Sequence, residues 1–298
     1  MKTALLVALT VSVVFAANPA ALLRSGRQAA RNGDWNKAEA LLSRAEDGAR
    51  LLDDPSLTLA ARIARIDLRL AAEENDSAEA LIPQLPLRNV AAADSAVWHL
   101  VRARVRLAQG SPGQALTESD LACAAADHAR EKPLRSVSAA VQGRARLAQG
   151  DLDGAESSWK MARRNADGIP ALEAGTAALE ARIALARNRP DDAAKAIARA
   201  MASWRSQQDV GGVLATLPLQ AEIDLRTGNA GAAGESWSAA AHIAETSMLP
   251  RVAVRSLLQA NASDPSGAPE RRNRARAILQ QAGIQEGSLP SDLQALLR

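Results

Sequence analysis

The pentapeptide "RLAQG" occurs twice in this chain, at Arg106–Gly110 and again at Arg146–Gly150, forty residues apart. With the closing glycine as a ruler, equivalent positions appear at Gly33, Glu73, Gly110, Gly150, Asn188 and Gly228, spaced by 40, 37, 40, 38 and 40 residues. Five residues after each stands an alanine: Ala38, Ala78, Ala115, Ala155, Ala193 and Ala233. A match in every unit is more than an alanine-rich composition supplies by chance. Seven residues before the ruler the side chain is small in Gly26, Ala103, Gly143, Ala181 and Ala221, with Ile66 the exception. Nine after it come Leu42, Ile82, Ser119, Trp159, Ile197 and Trp237, which are mostly large.

A helical hairpin explains this pattern. The first helix ends at Gly or Asn, residues that tolerate the left-handed conformation closing a helix. Asp34 or Asp151 then begins the second helix, where a carboxylate caps free N–H groups at the positive end. The small residue before the turn and the alanine after it let the two helices approach closely, and the large residue one turn further fills the wider gap. A single hairpin leaves an apolar side uncovered, so neighbours must stack into a superhelix.

Composition agrees. The 298 residues contain no Tyr, one Phe and five Trp, so the apolar surface is almost all Ala, Leu, Val and Ile. Ala and Leu are strong helix formers, and alanine thins the packing between helices. The expected fold class is all-α, a right-handed superhelical solenoid of stacked antiparallel hairpins.

The matched features, namely the small residue of the first helix, the turn glycine, the first alanine of the second helix and the large residue beyond it, resemble the tetratricopeptide repeat family. A further alanine at Ala45, Ala162, Ala200 and Ala240 fits the same pattern, as does the aromatic Trp35 in "GDWNKAEALL". The resemblance covers roughly residues 20–250 and implies a protein-interaction scaffold. Two departures stand out. The period is near 40 rather than 34 residues, as in longer-helix relatives found in bacterial regulators and adaptors. The leucine expected before the small residue is replaced by Arg102, Gln142, Glu180 and Gln220, which leaves open the face of the first helix that lines the groove.

The flanks read differently. Lys2, the apolar run Ala4–Ala17, and small residues Val14 and Ala16 form a secretory signal peptide over residues 1–16, cut after Ala16. That run is shorter than the roughly 20 residues a spanning helix needs, so membrane contact is expected only if the segment stays uncleaved. The mature chain is then periplasmic or secreted, from a bacterium. Residues 17–250 form the array of about six hairpins, and residues 251–298, broken by "SDPSGAPE", form a helical cap.

Chemistry is sparse. His99, His128 and His242 lie in different units; His242 with Glu245 lacks a third metal ligand. The doublets Asp53-Asp54, Glu73-Glu74 and Asp191-Asp192 sit at connections, where capping and solvation account for them. Gly211-Gly212 is too isolated for a phosphate cradle and permits close contact at a helix start. Cys123, the sole cysteine, reads as a small apolar residue. Arg271, Arg272, Arg274 and Arg276 read as a solvated helix face, and with a net charge of +3 and few aromatics no nucleic-acid partner is expected. No cofactor, metal or catalysis is expected.

What remains is a row. Six residues before the ruler stand Arg27, Asp67, Arg104, Arg144, Arg182 and Glu222; four before it, from the second unit on, stand Arg69, Arg106, Arg146, Ala184 and Asp224. The first row suggests a groove for an extended peptide or a partner helix, with Arg104, Arg144 and Arg182 holding carboxylates and Glu222 marking an acidic end. The competing reading pairs these arginines with acids of neighbouring helices. As a whole the chain reads as a binding scaffold of the cell envelope. The alternatives are an accessory subunit of an envelope enzyme and a membrane-anchored assembly factor.

Overall fold

The computed structural model describes residues 18–82 and 91–298, so the leader expected over residues 1–16 lies outside the described residues. Helices follow one another in pairs. The first four hairpins are α1 (Pro19–Arg31) with α2 (Trp35–Leu51), α3 (Pro55–Ala71) with the short α4 (Asn75–Ala80), α5 (Ala92–Ala108) with α6 (Pro112–Ala129), and α7 (Lys132–Ala148) with α8 (Leu152–Ala166). Two more follow: α9 (Pro170–Ala186) with α10 (Pro190–Ser206), and α11 (Val210–Arg226) with α12 (Ala230–Thr246). Then come α13 (Pro250–Ser263), α14 (Ala268–Gln281) and α15 (Ser291–Leu297). Among the described residues there is no strand, and no helix is long and apolar enough to cross a membrane.

The sequence ruler marks the bend of every hairpin. Gly33, Glu73, Gly110, Gly150, Asn188 and Gly228 all have positive φ, between 55° and 82°. Asp34 accepts from Lys37 N at 3.2 Å and Asp151 from Gly154 N at 2.9 Å, so both cap the second helix. The six alanines five residues on are fully buried. At Gly26 an added Cβ would lie 2.7 Å from the Leu42 side chain, and at Gly143 it would lie 2.9 Å from Leu179. These small residues therefore set how closely the helices cross.

Each odd-numbered helix from α1 to α11 touches its counterpart in the next hairpin, as the inner layer of a curved stack does. The residues standing where the family has leucine point to the other layer. Arg102 pairs with Glu118 on α6 at 2.9 Å, Gln142 bonds Asp120 and Ser158, and Glu180 pairs with Arg199 on α10 at 2.8 Å. That polar row holds the two layers together and leaves the row of Arg104 and Arg144 as the inner face.

Beyond the sixth hairpin, Val254, Leu258, Ala275, Leu279, Leu293 and Leu297 from α13, α14 and α15 form one core cluster. Three of the four arginines of α14, all but Arg272, tie this end down rather than merely solvate it. Arg271 bonds Asn261 and the Asp264 backbone, Arg274 pairs with Glu245, and Arg276 donates to Leu297 O at 2.7 Å.

The curvature brings the two ends of the array together. Trp35 and Ala72 pack against a cluster containing Met201, Leu214, Leu217 and Leu249, and α1 touches α11. Gly33 faces Ser247 and Val210, and Glu73 pairs with Arg255 on α13 at 2.8 Å. The solenoid thus closes on itself around a lumen.

Candidate functional site

The lumen contains a cavity of about 660 Å³ bounded by all six inner helices. Arg27, Asp67, Arg104 and Arg144 line it in succession, which is what stacking equivalent positions of consecutive hairpins produces. As the superhelix turns, the wall passes from the C-terminal halves of α1 and α3 to the starts of α9 and α11. Val137, Val141 and Leu172 supply an apolar surface there, and the indoles Trp35 and Trp204 flank it.

Gly211 and Gly212 belong to this wall. A Cβ on Gly212 would collide with the Trp204 ring, so the bare backbone lets the indole lie on the start of α11. Asp209 caps the same turn through Gly212 N at 2.7 Å.

The four arginine and glutamate positions singled out from sequence have different surroundings. Arg104 is ion-paired with Asp67 of the preceding hairpin. Arg182 and Glu222 lie outside the main cavity and line a separate hollow of about 300 Å³ with Arg226. Burial pulls the Arg182 guanidinium below its usual range, and the nearby Glu222 carboxylate partly offsets that. Arg144 has no ion pair or hydrogen bond among the described residues.

Arg182 likewise makes no ion pair or hydrogen bond among the described residues; what distinguishes Arg144 is that the charges acting on it are those of two arginines, whereas Arg182 has the Glu222 carboxylate nearby. The Arg144 side chain is exposed to solvent within the lumen, where it lines the wall of the cavity. The surrounding wall partly withdraws it from water, which pushes its pKa down to about 10, and the like charges of Arg182 and Arg104 push the same way. An arginine remains protonated at neutral pH even so. The depression records a cation partly withdrawn from water and, to a lesser degree, set beside like charges, both of which an anion placed there would offset.

The second row has partners throughout its charged positions. Arg69 bonds Glu39 and Glu74, Arg106 pairs with Glu79, Arg146 donates to Gly154 O and Ser158, and Asp224 accepts from Gln220. This row fastens helices to one another. Outside the ring, a larger hollow of about 1260 Å³ lies beside Trp159, Arg163, Glu180 and Arg199. Its charges are mixed, and some are engaged: Arg199 bonds Glu180, and Arg163 stacks 5.6 Å from the Trp159 ring centre.

Groups suited to chemistry are dispersed. Among the described residues no cluster of three His, Cys, Asp or Glu is placed to hold a metal ion. His99 faces Glu118 at 2.8 Å, and Glu245 is taken up by Arg274. Burial pushes the Cys123 thiol up to about 12, with the Asp120 and Asp127 carboxylates adding to the effect.

The class these features define is an all-α solenoid of stacked antiparallel helical hairpins, closed around a lumen that carries an unpaired cation. Among solved structures, the chain is similar to a Rap protein complexed with competence and sporulation factor. The identity is 12% and the TM-score 0.65, with 94% of this chain and 85% of that one covered. At that identity the likeness establishes the fold. No protein-family model matches the sequence, and no curated protein does.

Proposed function

We propose that this protein is a non-catalytic interaction scaffold that holds an extended acidic peptide segment in its lumen, with Arg144 receiving a carboxylate. The observation that carries the reading is the unpaired Arg144 guanidinium on the wall of an otherwise partly apolar cavity. A carboxylate at that point makes charge-assisted hydrogen bonds in surroundings that screen less than bulk water. The cavity volume is that of sites for small ligands and short segments, typically about 300–1,000 Å³. That a protein of similar fold was solved in complex with competence and sporulation factor supports reading this architecture as a holder of a partner.

The test is an array of short peptides graded in acidic content, probed with the wild type, Arg144→Glu, and Arg164→Glu on the outer surface. Acidic peptides retained by the wild type and by Arg164→Glu, but lost by Arg144→Glu, are the expected outcome. Equal retention by all three proteins sinks the lumen reading.

We place the scaffold in the bacterial cell envelope, after removal of residues 1–16. The leader-like run Ala4–Ala17 supports this placement. The intact mass of the protein purified from its own envelope fraction tests it. A mass beginning at Ala17 fits the proposal, and a mass retaining Met1 or Lys2 turns the segment into an anchor.

A further inference from the structure

The interface that closes the ring differs from those between successive hairpins. Apart from the junction at the short α4, neighbouring hairpins meet along the length of their helices, whereas the two ends of the array meet through a few residues: Gly33, Trp35, Ala72 and Glu73 against Val210, Gly211, Ser247 and Arg255. The contact is close. A Cβ on Gly33 would lie 2.9 Å from Ser247 Oγ and 3.1 Å from Val210 Cγ1.

Closure also carries costs. Trp35 Nε1 is buried without an acceptor among the described residues, and an orphaned buried donor is destabilising. Glu73 is drawn out of water at the same place, facing Arg255 and Arg251 of α13. Its carboxyl sits above the usual range because burial outweighs those two cations. The seam is therefore held by few residues and opposed by identifiable terms, while each side keeps buried core residues of its own, with only Trp35 and Ala72 added across the seam to the cluster of Met201, Leu214 and Leu249.

We propose that this seam is a clasp, which opens and recloses as a unit while the hairpins on either side stay folded. Its opening turns the closed ring into an open coil and widens access to the lumen. Only that last consequence rests on the proposed ligand site. The opening itself is a local transition of low free energy, of the kind that separates weakly held units from the rest of a fold.

A buried serine at the seam supplies the probe. Ser247 is 5% exposed and its hydroxyl faces Gly33, so Ser247→Cys places a near-isosteric thiol inside the clasp. Ser119→Cys, fully buried on α6 away from the seam, is the reference. Both are made with Cys123→Ala, and their reaction with 5,5′-dithiobis(2-nitrobenzoate) is followed across low urea concentrations. We expect the thiol at 247 to react at least about tenfold faster than that at 119, with a shallower urea dependence, because only a small surface opens.

A matched pair of glycine variants then assigns the opening to the seam. Gly33→Ala and Gly110→Ala both force alanine into a left-handed backbone, at φ 82° and 71°, but only the former also meets Ser247 and Val210. Gly33→Ala should accelerate reaction at 247 several-fold more than Gly110→Ala does. Equal rates and equal urea slopes for the two thiols overturn the clasp, as do equal effects of the two glycine variants at 247. No ligand enters this experiment, so its failure and a failure of the peptide array are separate results.

Discussion

Replacing Glu46 by Gln tests what holds the first two hairpins together. Glu46 on α2 is 1% exposed and receives three arginines. Its Oε1 accepts from Arg50 and from Arg62 Nε at 2.7 Å, and its Oε2 accepts from Arg65 Nη1 at 2.8 Å. Burial alone would raise its pKa, but the hydrogen bonds from Arg65, Arg62 and Arg50 together hold it below the usual value of 4.5. Breaking a buried pair typically costs about 3–5 kcal/mol, largely from the partner left charged and dry. That penalty is reduced here, since Arg65 keeps Glu39 at 2.8 Å and Arg50 is 53% exposed. About 2–3 kcal/mol remains, near the value of one to two hydrogen bonds to a charged group. Repeat stacks need not unfold in one step, so the assay is hydrogen exchange read helix by helix. Amides of α2 and α3 should open about 30- to 150-fold more readily, at 1.4 kcal/mol per tenfold, with α8 to α10 little changed. The depressed pKa also fixes the pH sign. The contribution is complete above the unfolded value of 4.5 and is lost as pH falls through the folded value, so the variant should lack that acid-induced loss. A change below about 0.5 kcal/mol, or one spread evenly along the chain, would refute the reasoning.

Glu73 should behave in the opposite sense. Its raised pKa means that the closed seam disfavours the ionised carboxylate, so closure is strongest below the unfolded value and weakens as pH rises through the folded one. Glu73→Gln should therefore slow thiol reaction at Ser247→Cys near neutral pH despite losing the Arg255 pair, whose arginine is 42% exposed and readily hydrated. Faster reaction in that variant would show that the ion pair dominates. Cys123, with its pKa pushed up to about 12, should react with iodoacetamide at pH 8 about a thousandfold more slowly than the unfolded chain, and a comparable rate would contradict its burial.

How much of this was legible in the sequence follows from which signals are local. The hairpin bends were, because glycine or asparagine at a left-handed turn followed by a capping carboxylate is a pattern within a few residues. A second series of left-handed turns joins one described hairpin to the next, at Gly168 and at four residues that carry a side chain, Asp53, Arg130, Gln208 and Met248. Those four escaped the reading because residues with a Cβ seldom take that conformation and carry no such mark. The inner row of Arg27, Asp67, Arg104 and Arg144 was legible as a row, since repeat positions stack. Its pairing was not. Arg104 finds Asp67 in the preceding unit and Arg144 finds no partner among the described residues, a distinction set by neighbouring side chains in three dimensions. Reading Glu73-Glu74 as a solvated connection holds for neither residue alone: Glu74 bonds Arg69, and Glu73 reaches Arg255 across the seam.

That seam changes the energetics expected of a repeat protein. In an open solenoid each hairpin interacts only with its neighbours, and stability is close to a sum of local terms. Here the first hairpins also touch the last, so the array gains one interface between segments remote in sequence. Closing a flexible loop of this length would cost several kcal/mol of chain entropy, about (3/2)RT ln n plus a constant. The intervening hairpins are already ordered by their own packing, so most of that cost has been met before the ends meet. A handful of side chains therefore suffices to close the ring. By the same reasoning a handful suffices to open it, and a ligand that bridges Arg144 to the walls on either side of the lumen would bias that balance toward closure by as much as it binds the closed form better.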